Sequence, residues 1–251
     1  MIQSDLESVI NETIRCRSGD ESTRCDVRSA DPWHLDAWFS LADGAAYRIR
    51  SLQPADRFAI HEFGSQLGLR SKWLFCPYAW ADSALLDEQF ARAIQRATAR
   101  IDASYLLTER AKTIGHFWLA AVGEAGVGEA ADARRPEPWV PELGIAIADA
   151  YHGRGLGGLA VRVLQAVAQD LGVDAIELTT HPENIAGYCT YLGAGFEQVG
   201  MLRIAAPASP DATDAADARR DERHMVYVIN AAKRTAVLEH LARQRAVALQ
   251  T

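Results

Sequence analysis

The densest chemistry in the chain lies in one run, Leu143-Gly144-Ile145-Ala146-Ile147-Ala148-Asp149-Ala150-Tyr151-His152-Gly153-Arg154-Gly155-Leu156-Gly157-Gly158. An apolar stretch, Leu143–Ala148, feeds a glycine-rich turn, and the turn opens a helix. Leu156, Leu159, Val163, Leu164, Val167 and Leu171 share one face of that helix. Glycine lets the backbone approach an anion closely, and the first N–H groups of a helix have no partner within it. Together they favour a bound phosphate, and Arg154 adds a cation. The turn therefore reads as a pyrophosphate cradle. Glu142, His181 and Tyr191 lie close by in sequence and His116 lies upstream; each side chain can move a proton.

Two cofactor classes compete for such a cradle. Gly153-x-Gly155-x-x-Gly158 matches the dinucleotide pattern, and Glu177 stands 19 residues beyond Gly158, near the acidic partner of that pattern. Three features count against a dinucleotide. Glu177 is followed by Leu178-Thr179-Thr180, which puts it inside a strand rather than at its end. The match begins at residue 153, which leaves less chain than a full dinucleotide-binding sheet uses. No further strand–helix–strand units with long helices follow. No Gly-Lys-Ser/Thr follows the glycines, so the turn is not a Walker A loop.

The second class is coenzyme A. His152-Gly153-Arg154-Gly155-Leu156-Gly157 resembles the Gln/Arg-x-x-Gly-x-Gly/Ala motif of the GNAT superfamily of N-acetyltransferases, with His152 at the first position. Asn184-Ile185-Ala186-Gly187-Tyr188-Cys189-Thr190-Tyr191-Leu192-Gly193-Ala194-Gly195-Phe196 resembles its downstream Asn-x-x-Ala-x-x-x-Tyr-x-x-x-Gly-Phe motif, with Gly187 at the Ala position. The resemblance is strong over 141–196 and weaker over 47–122, where Arg48-x-Arg50 and Pro54-x-Asp56 are similar to the family's opening strand and helix. It implies that backbone around Ile145, Ala146 and Ile147 pairs with the pantetheine arm, with an N–H near Ile147 as oxyanion donor. It implies that Gly153, Arg154, Gly155, Leu156, Gly157 and Gly158 hold the pyrophosphate, and that Asn184 bonds the pantetheine or neighbouring backbone. Tyr191 would protonate the leaving thiolate. Glu142, where the family often places a Glu, would be the base, with its pKa raised by burial. His181 and His116 are alternative bases. Cys189 has no spaced His partner and is not read as a nucleophile.

The elements that position these residues follow from periodicity. An amphipathic helix is expected over 4–17 from Leu6, Val9, Ile10 and Ile14. A second is expected over 31–44, capped by Asp31, with Trp33, Leu35, Trp38 and Leu41 on its apolar side and Gly44 closing it. Residues 1–45 thus read as an N-terminal helical extension, and 46–251 as a GNAT-like domain. That domain starts with a strand at 47–52 and a helix from Pro54 to about Gln66. The aromatic stretch 73–80 reads as core packing, with a substrate-site wall as the alternative. A helix at 83–100 precedes a hairpin of 104–108 and 113–121, and 123–138 reads as a loop. Then come a strand at 143–148, a helix at 156–171, a strand at 175–180, a helix at 184–193 and a strand at 196–204. Residues 205–221 are low-complexity. A strand at 224–229 and a helix at 231–248 finish the order. The fold class is α/β (α+β): a mixed, mainly antiparallel twisted sheet flanked by helices, with one strand–helix–strand crossover.

Composition narrows the partners. Lys+Arg 26 against Asp+Glu 33 gives −7, which disfavours nucleic acid. No run approaches the ~20 apolar residues of a membrane span, and the start lacks a signal-peptide pattern. Cys16, Cys25, Cys76 and Cys189 form no CxxC pair, so no zinc or other metal site and no disulfide framework is read, a Cys16–Cys25 bridge being the one alternative. A reducing cytoplasm fits best. The expected activity is direct acetyl transfer from acetyl-CoA to an amine, with a small-molecule amine preferred and a protein amine as the alternative. The alternative from another class is a non-catalytic acyl-CoA-binding sensor. Edge pairing through 196–229 would give a homodimer.

Overall fold

The computed structural model describes residues 7–8, 10–12, 25–41, 44–75, 78–80, 82–120, 137–205 and 219–248. Nine strands in the described residues form one sheet in the order β1-β2-β3-β4-β5-β6-β7-β9-β8. They are β1 Cys25–Ser29, β2 Asp36–Ser40, β3 Ala46–Ser51, β4 Asp102–Glu109, β5 Lys112–Ala120, β6 Glu142–Ile147, β7 Ala175–Thr180, β8 Glu197–Ala205 and β9 Arg219–Val228. The helices are α1 Arg57–Ser65, α2 Leu69–Leu74, α3 Ser83–Thr98, α4 Leu156–Asp170, α5 Ile185–Gly193 and α6 Arg234–Ala248. Every neighbouring strand pair is antiparallel except β6–β7, which α4 connects. The expected mixed, mainly antiparallel sheet with a single crossover is present.

Strand alternation divides the side chains between two helical layers. Leu107, Phe117, Ile145 and Leu143 point to the layer of α4, whose Leu159, Val163 and Leu164 share their core cluster. Leu106 and Trp118 point the other way, to a second cluster built on Ile60 of α1 and Phe90 of α3. Val237 and Leu241 of α6 close a third cluster over Ala175 and Val226. Asp82 caps α3 by accepting from the N–H groups of Ala84 and Leu85 at 3.0 Å.

The N-terminal region differs from its expected form. Residues 25–40 form a β-hairpin, not the helix read over 31–44. The spacing of Trp33, Leu35, Trp38 and Leu41 imitates a helical face, but the buried residues are Leu35, Ala37 and Phe39, which alternate as in a strand. β2 pairs with β3 from Asp36↔Arg50 to Ser40↔Ala46, so the expected boundary at 45/46 falls between two bonded strands. Of the helix read over 4–17, residues 7, 8 and 10–12 are described and helical, and Ile10 reaches the main core; the remainder, like most of the loops read at 123–138 and 205–221, lies outside the described residues. β9 starts at Arg219, five residues before the expected strand. β8 is an edge strand while β9 is interior, so any edge pairing in 196–229 is confined to β8. Among the described residues no helix is long and apolar enough to cross a membrane.

Candidate active site

β6 and β7 touch at a single register pair, Glu142↔Glu177, and then part. β5 satisfies one side of β6 from Gly115↔Ile147 to Ala120↔Glu142. Beyond Glu142 the other edge of β6 has no strand partner. An unpartnered edge facing a cleft can receive an extended, amide-bearing ligand as an added strand. Close approach of β5 requires Gly144, because a Cβ there would lie 2.3 Å from the Trp118 indole.

The chain leaves β6 through a short 3-10 turn, Asp149–Tyr151, and then the glycine turn. Gly153 and Gly155 hold φ of +77° and +79°, a conformation that side chains with a Cβ adopt at a cost. The first helical bond runs from the Leu159 N–H to the Gly155 oxygen at 3.0 Å. The N–H groups of Leu156, Gly157 and Gly158 therefore face off the helix end, with no side chain capping them. A Cβ on Gly157 would meet nothing within 4 Å, so this end of the helix is open. Leu156 contributes only its backbone, since its side chain is in the core. Arg154 stacks over Tyr151 at 4.8 Å and donates to the Ala150 oxygen at 3.2 Å. His152, at the position where the motif usually has Gln or Arg, donates from Nε2 to the Ile147 oxygen at 2.8 Å and so ties the turn to β6. Asp149 accepts from the Gly68 N–H at 3.1 Å, which docks the start of α2 beside the turn.

Glu142, Ile145, Ala146, Ile147, Asn184 and Tyr191 open onto one cleft. Glycines 153–158 lie outside that lining and meet it through His152. The Glu142 carboxyl is reachable from the cleft mouth, while protein encloses it on its other sides. The enclosure governs its acidity: burial, then the carboxylates of Glu177 and Glu222, push its pKa up to about 7. Tyr191 is 9% exposed, and burial followed by Glu222 raises its hydroxyl to about 12, so it enters the cleft as a neutral O–H donor. Asn184 spends its amide locally. Its Oδ1 accepts from the Gly187 N–H and its Nδ2 donates to Thr180 Oγ1, both at 3.1 Å. It thereby caps α5, and the glycine at 187 leaves room for it, since a Cβ there would sit 2.5 Å from Nδ2.

The two histidine alternatives fare differently. His116 is 1% exposed, and burial lowers its pKa to about 3, so it is a neutral core residue between Ser104 and Tyr78. His181 lies against the Trp73 ring at 4.3 Å, its Nδ1 accepts from the Glu183 N–H, and burial and Arg220 lower its pKa. Neither lines the cleft. Cys189 is an exposed free thiol on α5. Glu177, the acidic partner of the dinucleotide reading, is buried within β7 and bonded to His224 at 2.8 Å and Gln244 at 3.2 Å. No ribose hydroxyl can reach it.

Glu222 was not singled out by the sequence. It is 2% exposed, lines the cleft, and accepts from Arg220 at 2.5 and 2.8 Å. Arg220 also donates to the carbonyls of Trp73 and Leu74, at 2.5 and 3.2 Å, and so fastens the end of α2 over the cleft. Leu67, Ser71, Leu74 and Phe75 form that wall. The aromatic stretch therefore has both roles considered for it. Phe75, Tyr78 and Trp80 pack with Phe90 and Trp118, and Phe75 also faces the cleft. Only the acid–base character of Glu222 could have flagged it, because its neighbours are charged and carry no apolar alternation.

An open strand edge, a glycine-lined helix start and a cleft lined by a carboxylate of raised pKa and a neutral tyrosine are the features expected of an acyl-CoA-dependent transferase. The model of the acetyltransferase (GNAT) domain matches residues 47–197, and the chain belongs to that family. It is an acyltransferase whose cosubstrate is acetyl-CoA. No curated protein matches it. Among solved structures it is similar to the GNAT domain of S. lividans PAT, with 18% identity, a TM-score of 0.56, and coverage of 78% of this chain and 97% of that one. It is similar to the ribosomal-protein-S5-alanine acetyltransferase of Vibrio fischeri, at 12% identity, TM-score 0.56 and coverage of 74% and 94%. It is also similar to AAC(6')-Ib in complex with ribostamycin and coenzyme A, at 20% identity, TM-score 0.51 and coverage of 75% and 97%.

Proposed function

We propose that the chain acetylates the amine of a small molecule in the cytoplasm, by direct transfer within the cleft of Glu142 and Tyr191. The observation that carries this reading is the joint placement of those two side chains on one cleft beside the unpartnered edge of β6. Acetyl-CoA supplies an activated acyl group as a thioester. Glu142, poised near neutrality, accepts the proton the acceptor amine must lose. Tyr191 donates its hydroxyl proton to the sulfur, and Glu222 beside it discourages the tyrosinate until that moment. Backbone N–H groups at the open edge around Ile147 are the oxyanion donors of this scheme. The cradle residues Gly153 to Gly158, with Arg154, hold the pyrophosphate, and Asn184 acts indirectly by fixing the start of α5.

Glu142, not paired with a cation among the described residues as Glu222 is with Arg220, gives the acceptor side an anionic group as pH rises through about 7, which favours a cationic amine. The roof of α2, fastened by Arg220, narrows that side, which suits a compact acceptor better than a folded protein. A structural neighbour, a spermidine N-acetyltransferase chimera, acts on a compound of this kind. Free-thiol release should be measured with acetyl-CoA and spermidine, kanamycin or an alanine-terminated peptide. The expected outcome is turnover with a small amine, reduced by roughly 10- to 1,000-fold in Tyr191→Phe. Turnover on the peptide alone would move the assignment to a protein amine. Tight CoA binding without turnover on any amine would make the chain a sensor module.

A further inference from the structure

Behind the wall of the catalytic cleft lies a second pocket. Phe75 faces the cleft with one side and packs on Trp118 at 5.5 Å and Tyr78 at 6.0 Å with the other. Trp118 and Tyr78 are the aromatic walls of the second pocket. Ser104 and His116 form its floor, and α3 borders its mouth with Gln89 and Arg92.

The floor has more hydrogens than acceptors. Ser104 Oγ lies 2.9 Å from His116 Nε2, and the Tyr78 hydroxyl lies 3.4 Å from His116 Nδ1. A neutral imidazole carries one N–H, and the two hydroxyls carry one O–H each. That makes three hydrogens for two contacts. One hydroxyl hydrogen, on Ser104 or on Tyr78, is therefore left without an acceptor among the described residues. Protonating the imidazole would leave two. Ser104 is 6% exposed and Tyr78 is 7%, and a buried donor of that kind calls for a partner. The charge count points the same way. Arg96 is committed to Asp102 through two bonds, at 2.5 and 2.8 Å, which cancel each other's charge. Arg92, exposed at the mouth, makes no ion pair among the described residues, so its guanidinium is open to an anionic ligand.

We propose that this pocket is a ligand site separate from the acetyl-transfer cleft, and that it takes a small aromatic carboxylate. The ring packs on the Tyr78 and Trp118 side chains that line the pocket, the carboxylate faces Arg92, and a ligand oxygen accepts the surplus hydroxyl hydrogen from the floor. The aromatic wall that the two cavities share gives such a ligand a direct physical route to the position of Phe75.

Isothermal titration of the full chain with benzoate, salicylate and 4-hydroxybenzoate tests this, with benzamide as the uncharged control. Saturable one-to-one binding is expected for at least one acid, with benzamide weaker by about fivefold or more, the worth of one partly exposed charge pair. Arg92→Gln, an exposed change that leaves the fold intact, should weaken it by a similar factor, and so should one of Ser104→Ala and Tyr78→Phe. Saturating CoA should not compete. Three results would each overturn the proposal: no saturable binding of any acid, which would assign the pocket to water; affinity indifferent to Arg92→Gln; or displacement by CoA, which would put the acid in the catalytic cleft. None of these depends on turnover, so the site can fail while the acetyltransferase reading stands.

Discussion

At neutral pH Glu142 is divided between a protonated and an ionised form, because its pKa is pushed up to about 7. Only the ionised form can take a proton from the acceptor. Activity should therefore rise with pH through about 7 and then level off, to the extent that the acceptor is itself neutral. Glu142→Gln should remove that inflection and lower kcat by roughly 10²- to 10⁴-fold, the usual worth of a positioned base. Glu222→Gln should move the inflection to lower pH, since one of the carboxylates that raise Glu142 is gone. The sign for stability is opposite to that of an ordinary paired carboxylate. The folded chain holds the Glu142 proton more tightly than the unfolded chain, whose Glu titrates near the ordinary 4.5. Between that value and about 7 the native state binds more protons, so this group's contribution falls as pH rises. Thermal melts at pH 8 should find Glu142→Gln no less stable than the parent. A lower melting temperature for the variant would show that Glu142 is a structural carboxylate rather than a strained functional one. A flat pH profile in the parent enzyme would remove it as the base.

β6 is the element on which the site depends. It is held by β5 along its length and released by β7 after one residue. Its register against β5 sets Gly144 opposite Trp118, where any Cβ would overlap the indole. Gly144→Ala should cost about 1–3 kcal/mol, as overpacked positions do. It should also raise the KM for acetyl-CoA, because the strand edge moves with the backbone. Denaturant unfolding and steady-state kinetics on the same variant would check both, and an unchanged KM with full stability loss would detach the edge from cofactor binding. The elements around β6 were legible because their signals were strong and local. Six apolar residues on one face and a glycine start placed α4 at 156–171 against an observed Leu156–Asp170, and the Asn184 register placed α5 within a residue. β2 imitates a helix in sequence because its inward residues include the small Ala37, while the larger Trp33, Trp38 and Leu41, only half-buried, space like a helical face. The first half of β9 was missed for a related reason. Arg219-Arg220-Asp221-Glu222-Arg223 has no apolar period, because this part of the strand buries ion pairs such as Arg220–Glu222. A charge buried against a counter-charge leaves no trace in hydrophobic patterning, and Glu222 went unread with it.

Across the whole molecule, the sheet does not end at the family's first strand. β1 and β2 add two strands beyond β3, and Leu35, Ala37 and Phe39 of that hairpin join the main core with Tyr47 and Ile49. Phe39 stacks on Tyr47 at 5.5 Å, and the Tyr105 hydroxyl donates to the Pro32 oxygen at 2.5 Å, so both β3 and β4 lean on this segment. Arg48 shows the same dependence, bonding Asp36 of β2 twice, at 2.7 and 3.0 Å, whereas Arg50 bonds Asp56 ahead of α1. A chain starting at residue 46 would expose Tyr47, Ile49 and Tyr105 together and turn β3 into an apolar edge, a surface prone to pairing with other chains. The proposed division into an extension over 1–45 and a GNAT-like domain over 46–251 is thereby open to test. The truncated chain is expected to be aggregation-prone or to unfold without a cooperative transition. Phe39→Ala in the full chain is expected to cost about 3–5 kcal/mol, the range for a buried phenylalanine. Size-exclusion chromatography and thermal unfolding of the two forms give the answer. A truncated chain that stays monomeric, melts cooperatively and turns over acetyl-CoA at the parent rate would establish 46–251 as self-sufficient and reduce the hairpin to an appendage. If instead the parent chain is a dimer and the truncated one is not, the contact surface lies at the hairpin end of the sheet rather than at β8.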